Sequence, residues 1–134
     1  PTVAILSELD AVGTPDSPKA DPLTGAAHTC GHFLQMATML AAATGIMKAG
    51  ILPELSGDVV FFAVPAEEYV EIEYRRRLLG EGKLHYLCGK DELIYEGHFD
   101  DIDMAMMMHA QGNMPQKAVA VGQSSNGFLV KLRR

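Results

Sequence analysis

The sequence predicts an α/β domain in which helices cover both faces of a largely parallel sheet. Short apolar runs of the kind found in buried parallel strands alternate along the chain with longer segments of helical spacing. Polar residues, glycine or proline separate these segments and mark their ends. The chain has 134 residues, of which 48% are hydrophobic and 21% charged, as expected for one globular domain with its own core.

The first part of the chain predicts a strand, a long loop and a helix. Residues 3–9 form a run rich in Val, Ile and Leu that stops at Asp10, as a buried strand would. Residues 13–25 carry several glycines, prolines and aspartates and are predicted to form a loop. Residues 31–49 have apolar side chains at helical spacing and on the other faces as well, so we expect a helix buried on most sides.

The middle of the chain predicts one strand and two helices. Residues 59–64 are a continuous β-branched and aromatic run that ends at Pro65, which makes them the clearest strand. Residues 68–79 are charged on one side and apolar on the other, a pattern that favours a helix. Residues 91–96 predict a shorter helix that Gly97 would end.

Further strands are predicted towards the end of the sequence. The methionine-rich residues 103–109 are short enough for a buried strand, and we expect these methionines to fill the core. Residues 117–121 and 127–132 predict two more strands, separated by a polar turn at 122–126. The sequence starts without Met and stops just after an apolar run, so we expect it to be part of a longer protein.

The composition argues against several classes of function. There are 11 Lys and Arg against 17 Asp and Glu, and this net charge of -6 disfavours binding to nucleic acid. The most apolar window, residues 33–47, has 15 residues and is shorter than the roughly 20 needed to cross a bilayer, so no membrane partner is expected. Two cysteines are too few for a disulfide scaffold and indicate a reducing, cytoplasmic compartment.

Side chains that can bind metals or move protons follow the predicted strands or open the first helix. They are Asp10, Cys30, His32, Glu67, Glu68 and His109. Because ligands of parallel sheets bind where the strands end, we expect these side chains to meet at one sheet edge. Thiolate, imidazole and carboxylate groups suit zinc and related ions such as manganese or cobalt.

Two of these motifs also have explanations that involve no metal. The motif Cys30-Gly31-His32 places a thiol at a helix N-terminus, where the helix dipole would lower the pKa of Cys30, yet a Cys-x-His pair is more often incidental packing. Glu67 and Glu68 are either ordinary acids in the first turn of a helix or a general base beside a metal ligand. Consecutive side chains point in different directions, so one can bind a metal while the other faces the substrate water.

A structural role is one interpretation of His109, and it is the interpretation we give to the remaining histidines and acids. A lone histidine at the end of an apolar run, such as His109, is more often a hydrogen-bonded structural residue than a ligand. No role is assigned to the following residues in polar loops and turns: His28, His85, Cys88, His98, Asp100, Asp101 and Asp103.

The order of motifs resembles that of a known enzyme family. Glu-Leu-Asp-Ala at 8–11, His-Thr-Cys-Gly-His at 28–32, Gly-Asp-Val-Val-Phe-Phe at 57–62 and Pro-Ala-Glu-Glu at 65–68 precede a strand that ends in His109. This series is similar to the metal-dependent amidohydrolase branch of the aminoacylase and carboxypeptidase superfamily, which includes hippurate hydrolase, auxin-amino-acid conjugate hydrolases and aminobenzoyl-glutamate hydrolase. The resemblance implies a zinc-peptidase-like catalytic domain, of which this chain would be a part.

The resemblance implies a centre for two divalent ions, zinc or manganese, with cobalt or nickel as alternatives. The implied metal ligands are Cys30, which would bridge the two ions, His32, Glu68 and His109. Glu67 would be the catalytic base, and Asp10 would support the ligands without touching the metals. A further histidine ligand would come from beyond residue 134. Phe33 stands where many relatives have Asp or Asn, which leaves the substrate open.

The implied reaction is hydrolysis of the amide bond in an N-acyl amino acid or a small peptide-like substrate. Residues 1–126 would belong to the dimetal catalytic domain, and residues 127–134 would begin the crossing into a missing lid domain through which a homodimer forms. The segment alone would then be inactive. One alternative is a non-catalytic peptide- or metal-binding protein on the same scaffold, and another is an interaction domain in which these side chains never meet.

Overall fold

The computed structural model describes residues 1–110 of the chain. In chain order its elements are β1 (Thr2–Glu8), β2 (Val12–Gly13), β3 (Ala26–Ala27), α1 (His32–Ala49), a 3-10 turn (Leu52–Glu54), β4 (Asp58–Val64), α2 (Ile72–Gly80), α3 (Gly89–Tyr95) and β5 (Met104–Met107). The predicted strands 117–121 and 127–132, the turn between them and the domain crossing at 127–134 lie outside the described residues. Among the described helices, none combines the length and the hydropathy that crossing a membrane requires.

Within residues 1–110 the main sheet has three strands in the order β4-β1-β5, and both pairings are parallel. This confirms the prediction of an α/β fold built on a parallel sheet. Because β1 is central and its last residue Glu8 is paired with Val64, the carboxyl ends of β1 and β4 lie side by side. The segment between them begins with β2 and β3, a short antiparallel pair that closes the base of the predicted loop.

The core lies on one face of this sheet. In the described part of the chain it contains five buried apolar residues: Ala4, Leu6, Val64, Phe99 and Ile102. Ala4 and Leu6 alternate along β1 and therefore point to the same side. Leu93 of α3 packs against them, and the ring of Phe62 lies 4.8 Å from that of Phe99. Ala4, Leu6 and Val64 lie in the predicted apolar strands, whereas Phe99 and Ile102 lie outside them.

Helix α1 lies along the opposite face, where Met36 and Leu40 line a groove with Phe61. The prediction that α1 is buried on most sides is wrong for this structure, since only its residues His32 and Gln35 are buried. Leu40 is 69% exposed. The reason is geometric, because a helix resting on a three-stranded sheet can cover that sheet with only one of its faces.

The two shorter helices differ in how well their starts were predicted. Helix α3 spans Gly89–Tyr95 and is followed by Gly97 at a φ of 83°, close to the prediction. Helix α2 begins at Ile72 and not at residue 68, because the preceding backbone adopts left-handed conformations at Ala66 and Glu71, with φ of 58° and 52°. Glu67 and Glu68 therefore do not lie in a helical first turn, and that explanation of the pair is wrong.

Candidate metal centre

The side chains singled out in the sequence lie together at the carboxyl edge of the sheet. The ligand atoms of Cys30, His32 and His109 all lie within 4.8 Å of one another. Cys30 Sγ is 3.5 Å from His109 Nε2, and the two imidazole rings meet edge to face with centroids 5.7 Å apart. The loop after β1, the start of α1 and the segment after β5 bring these groups together. The alternative in which they never meet is therefore wrong.

Both histidines are oriented through Nδ1 by a backbone carbonyl. His32 Nδ1 lies 2.9 Å from the carbonyl oxygen of Asp10, and His109 Nδ1 lies 2.7 Å from that of Ala110. A carbonyl oxygen can only accept, so each Nδ1 carries the proton that it donates. In the neutral ring the Nε2 atom then carries the lone pair, which faces Glu8 in His32 and Cys30 in His109, and protein carbonyls orient metal-binding imidazoles in this way.

Three carboxylates surround the Nε2 atom of His32. Glu8 Oε2 lies 3.0 Å away, Glu67 Oε2 3.7 Å and Glu68 Oε1 3.9 Å. The backbone N–H of Glu68 donates to a carboxylate oxygen of Asp10 at 2.7 Å. Asp10 thus holds His32 through its carbonyl and the Glu68 backbone through its side chain.

Several buried polar atoms in this cluster have no hydrogen-bond partner among the described residues. His32 Nε2, Glu68 Oε1 and Asp10 Oδ1 are all buried in this way. An unpaired buried polar atom costs about 1–3 kcal/mol, more if it is charged, and native proteins seldom retain such atoms without a compensating ligand. A divalent cation between His32 Nε2 and Glu68 Oε1 would satisfy both atoms, so the residues present fit a metal centre.

The thiol of Cys30 shows how strongly negative this cluster is. The pKa of Cys30 is raised to about 11, first by a hydrogen bond with Glu68, then by burial and by the charges of Glu68, Glu67 and Glu8. The expectation that the helix N-terminus would lower this pKa is wrong, because nearby carboxylates outweigh a helix dipole equivalent to about half a charge. A bound cation would act in the opposite direction and favour the thiolate.

Glu67 lies in an environment suited to a general base. Burial is the main cause that raises its pKa, and the charges of Glu8 and Glu68 add to the effect, while Lys90 and His32 oppose it. A carboxylate with a raised pKa is a stronger proton acceptor. The environment of Glu67 is therefore compatible with the predicted catalytic role.

The segment that carries the two glutamates is held in a strained shape. Ala66, just before Glu67, has a φ of 58°, which side chains other than glycine adopt only when other contacts enforce it. Its carbonyl oxygen accepts the N–H of Gly89 at 3.1 Å and the guanidinium of the buried Arg75 at 3.4 Å. A Cβ atom at Gly89 would overlap the carbonyl oxygen of Pro65. These contacts aim Glu67 and Glu68 into the cluster.

Sequence reasoning missed two charged residues at this site. Glu8 is 1% exposed and forms an ion pair with Lys90, the second residue of α3. A signal for Glu8 was available, because it is in phase with the buried Ala4 and Leu6 on β1 and so must point inward. Nothing local marks Lys90, which lies 82 positions further along the chain.

Some residues to which no role was assigned have structural contacts. Glu92 accepts from the backbone N–H groups of His85 and Tyr86 at 2.8 and 2.7 Å, and from the ring of His85 at 3.1 Å. Asp103 accepts the N–H of Thr2 at 2.7 Å and so ties β5 to the start of β1. These contacts shape the scaffold and lie outside the candidate centre.

Comparison with known proteins gives no match, whether with family models, with curated proteins or with solved structures. The functional assignment therefore depends on the geometry of the site. That geometry defines an α/β domain with a candidate metal centre where its parallel strands end.

Proposed function

We propose that this chain is part of the catalytic domain of a metal-dependent amidohydrolase of the aminoacylase and carboxypeptidase type. The substrate class would be N-acyl amino acids or small peptide-like amides. The observation that carries the proposal is a pair of buried, unpartnered atoms, His32 Nε2 and Glu68 Oε1, which lie 3.9 Å apart beside a thiol and a second imidazole. Such an arrangement is costly without a cation and favourable with one.

The proposed ligands are Cys30, His32, Glu68 and His109, with zinc or manganese as the ions. The thiol and the two imidazoles favour zinc, whereas the carboxylate is equally suited to manganese. Bound divalent ions would lower the pKa of a water molecule towards about 7 and polarise the scissile carbonyl group. Asp10 would keep His32 and Glu68 in position through the two hydrogen bonds that it makes to them.

Glu67 would move the proton in this reaction. Its carboxylate lies 3.7 Å from His32 Nε2, beside the proposed ligands, and is about one-third exposed, so a substrate can reach it. It would accept a proton from the attacking water as the water oxygen adds to the carbonyl carbon. It would then donate that proton to the amine nitrogen as the carbon–nitrogen bond breaks. Such transfer contributes about 10²- to 10⁴-fold to a rate.

Metal quantification and an amidase screen test this proposal together. The chain is stripped with a chelator, reloaded with zinc or manganese, and its bound metal is measured beside that of a His32→Ala variant. We expect bound metal in the parent chain and much less in the variant. Because the family resemblance implies one more histidine beyond residue 134, hydrolysis of N-acyl amino acids is assayed on the intact gene product. Metal binding without hydrolysis would favour the non-catalytic alternative, and absence of binding would refute the proposal.

A further inference from the structure

The ion pair between Glu8 and Lys90 lies against the candidate centre and has no part in the proposed ligand set. Glu8 is 1% exposed, Lys90 Nζ contacts its Oε1 atom, and Gln35 Nε2 donates to its Oε2 atom at 3.0 Å. A buried carboxylate needs partners of this kind, since an uncompensated buried charge is strongly destabilising. Lys90 comes from the first turn of α3, a different element from those that supply the proposed ligands.

Glu8 belongs to a second group of metal-binding atoms, and Lys90 lies beside this group on the Oε1 atom of Glu8. Glu8, His32 and Glu67 offer ligand atoms that all lie within 4.8 Å of one another. The group contains His32 Nε2, which belongs to a side chain only 1% exposed and has no hydrogen-bond partner among the described residues. His32 Nε2 has one lone pair, so a cation in this second group would compete with a cation held by Cys30 and His109.

Occupation of the second group would also hinder the proposed reaction. Glu67 would become a metal ligand, and the cation would make its carboxylate a weaker acceptor for a proton from water. The two groups differ in chemistry, because the second replaces a thiol and an imidazole with two carboxylates. Carboxylates favour hard ions such as manganese, whereas the thiol favours zinc.

We propose that Lys90 is a positioning residue that keeps cations out of the Glu8, His32 and Glu67 group and so leaves Glu67 free for proton transfer. The inference rests on the proposed function. The ammonium group pairs with Oε1 of Glu8, whose Oε2 faces His32 Nε2, and its positive charge disfavours a cation in this group. The cation is thereby directed to the group that contains the thiol.

Competition between zinc and manganese for binding to the chain tests this role. In Lys90→Met we expect the affinity for manganese relative to zinc to rise at least about tenfold. The reason is that the second group, in which two carboxylates accompany His32, can then bind a cation. Lys90→Arg keeps the charge and should match the parent chain, and Glu8→Gln in the Lys90→Met background should restore the parent preference. The inference would be overturned if Lys90→Met bound manganese and zinc with the same relative affinity as the parent chain.

A second measurement covers the case in which Lys90→Met does not fold. If Lys90 keeps Glu67 free, then Glu67→Gln in the parent chain should leave the zinc affinity within about twofold, whereas loss of a metal ligand would lower it far more. A fall of tenfold or more would show that Glu67 is a ligand and overturn the inference, even if His32→Ala confirms a metal centre. If the parent chain binds neither ion, the proposed function and this inference both fail.

Discussion

Asp10 and His32 are joined by a hydrogen bond of 2.9 Å from the ring Nδ1 to the backbone carbonyl of Asp10. This bond fixes the tautomer of His32 and leaves its Nε2 atom facing Glu68 inside the cluster. The same Asp10 accepts the N–H of Glu68 through its carboxylate at 2.7 Å. One residue after the central strand therefore positions two of the proposed ligands.

Replacing Asp10 should weaken metal binding without removing a ligand. In Asp10→Ala the Glu68 backbone loses its acceptor, so we expect the zinc affinity to fall by about 10- to 100-fold. Isothermal titration of the metal-stripped chain measures this. Asp16→Ala, which changes an exposed aspartate in the loop after β2, is the matched control. An unchanged affinity in Asp10→Ala would argue against the supporting role.

Replacing Glu67 should separate binding from catalysis. Glu67→Gln in the intact gene product is expected to retain its metal and to lose about 10²- to 10⁴-fold in kcat, because the amide cannot accept the proton. Initial rates with an N-acyl amino acid and metal content by mass spectrometry provide the two readouts. Turnover close to that of the parent enzyme would exclude Glu67 as the base.

Gly89 should be intolerant of any side chain. Its N–H bonds to the carbonyl of the strained Ala66, and an added Cβ would overlap the carbonyl oxygen of Pro65. We expect Gly89→Ala to lower the free energy of unfolding by roughly 1–3 kcal/mol, as overpacking does, and to weaken metal binding by displacing the glutamates. Gly80→Ala is the control, because the space around Gly80 is open. Equal stability of the two variants in urea unfolding would contradict this account of the loop.

The carboxylate of Glu92 should make the free energy of unfolding depend on pH. Burial acts to raise the pKa of Glu92, but hydrogen bonds from His85 and Tyr86 lower it below its ordinary value of 4.5. A lowered pKa means that the ionised group stabilises the fold at neutral pH and that this contribution disappears as the pH falls below about 4.5. At neutral pH, urea unfolding should therefore give a higher free energy of unfolding for the parent chain than for Glu92→Gln. This difference should disappear in acid. A difference in the free energy of unfolding that stays constant with pH would rule out this contribution.

The strands and their parallel order could be predicted because the signal is local. Uninterrupted apolar runs such as residues 59–64 leave no polar face for solvent, and such strands require cover on both sides. The same reasoning placed Asp10, Glu67 and His109 at one edge, since parallel strands end together. The clustering of the proposed ligands therefore follows from topology, although their binding of metal remains a prediction.

Other features depend on contacts between distant segments and leave little trace in the sequence. The left-handed backbone at Ala66 is held by Gly89 and Arg75, so no local pattern could have shown that α2 starts late. The pair between Glu8 and Lys90 joins the central strand to α3. The pKa of Cys30 was misjudged for the same reason, because the carboxylates that raise it come from other elements.

Cobalt titration of the chain in a Cys88→Ser background, in which Cys30 is the remaining thiol, tests the proposed metal centre through its thiol ligand. We expect Co²⁺ to convert Cys30, whose pKa is otherwise raised to about 11, into a thiolate ligand at neutral pH. A thiolate-to-cobalt charge-transfer band should appear, proton release should accompany it, and both should be lost in Cys30→Ser. Tight cobalt binding without that band, or no binding at all, would contradict a metal centre built on Cys30, His32, Glu68 and His109.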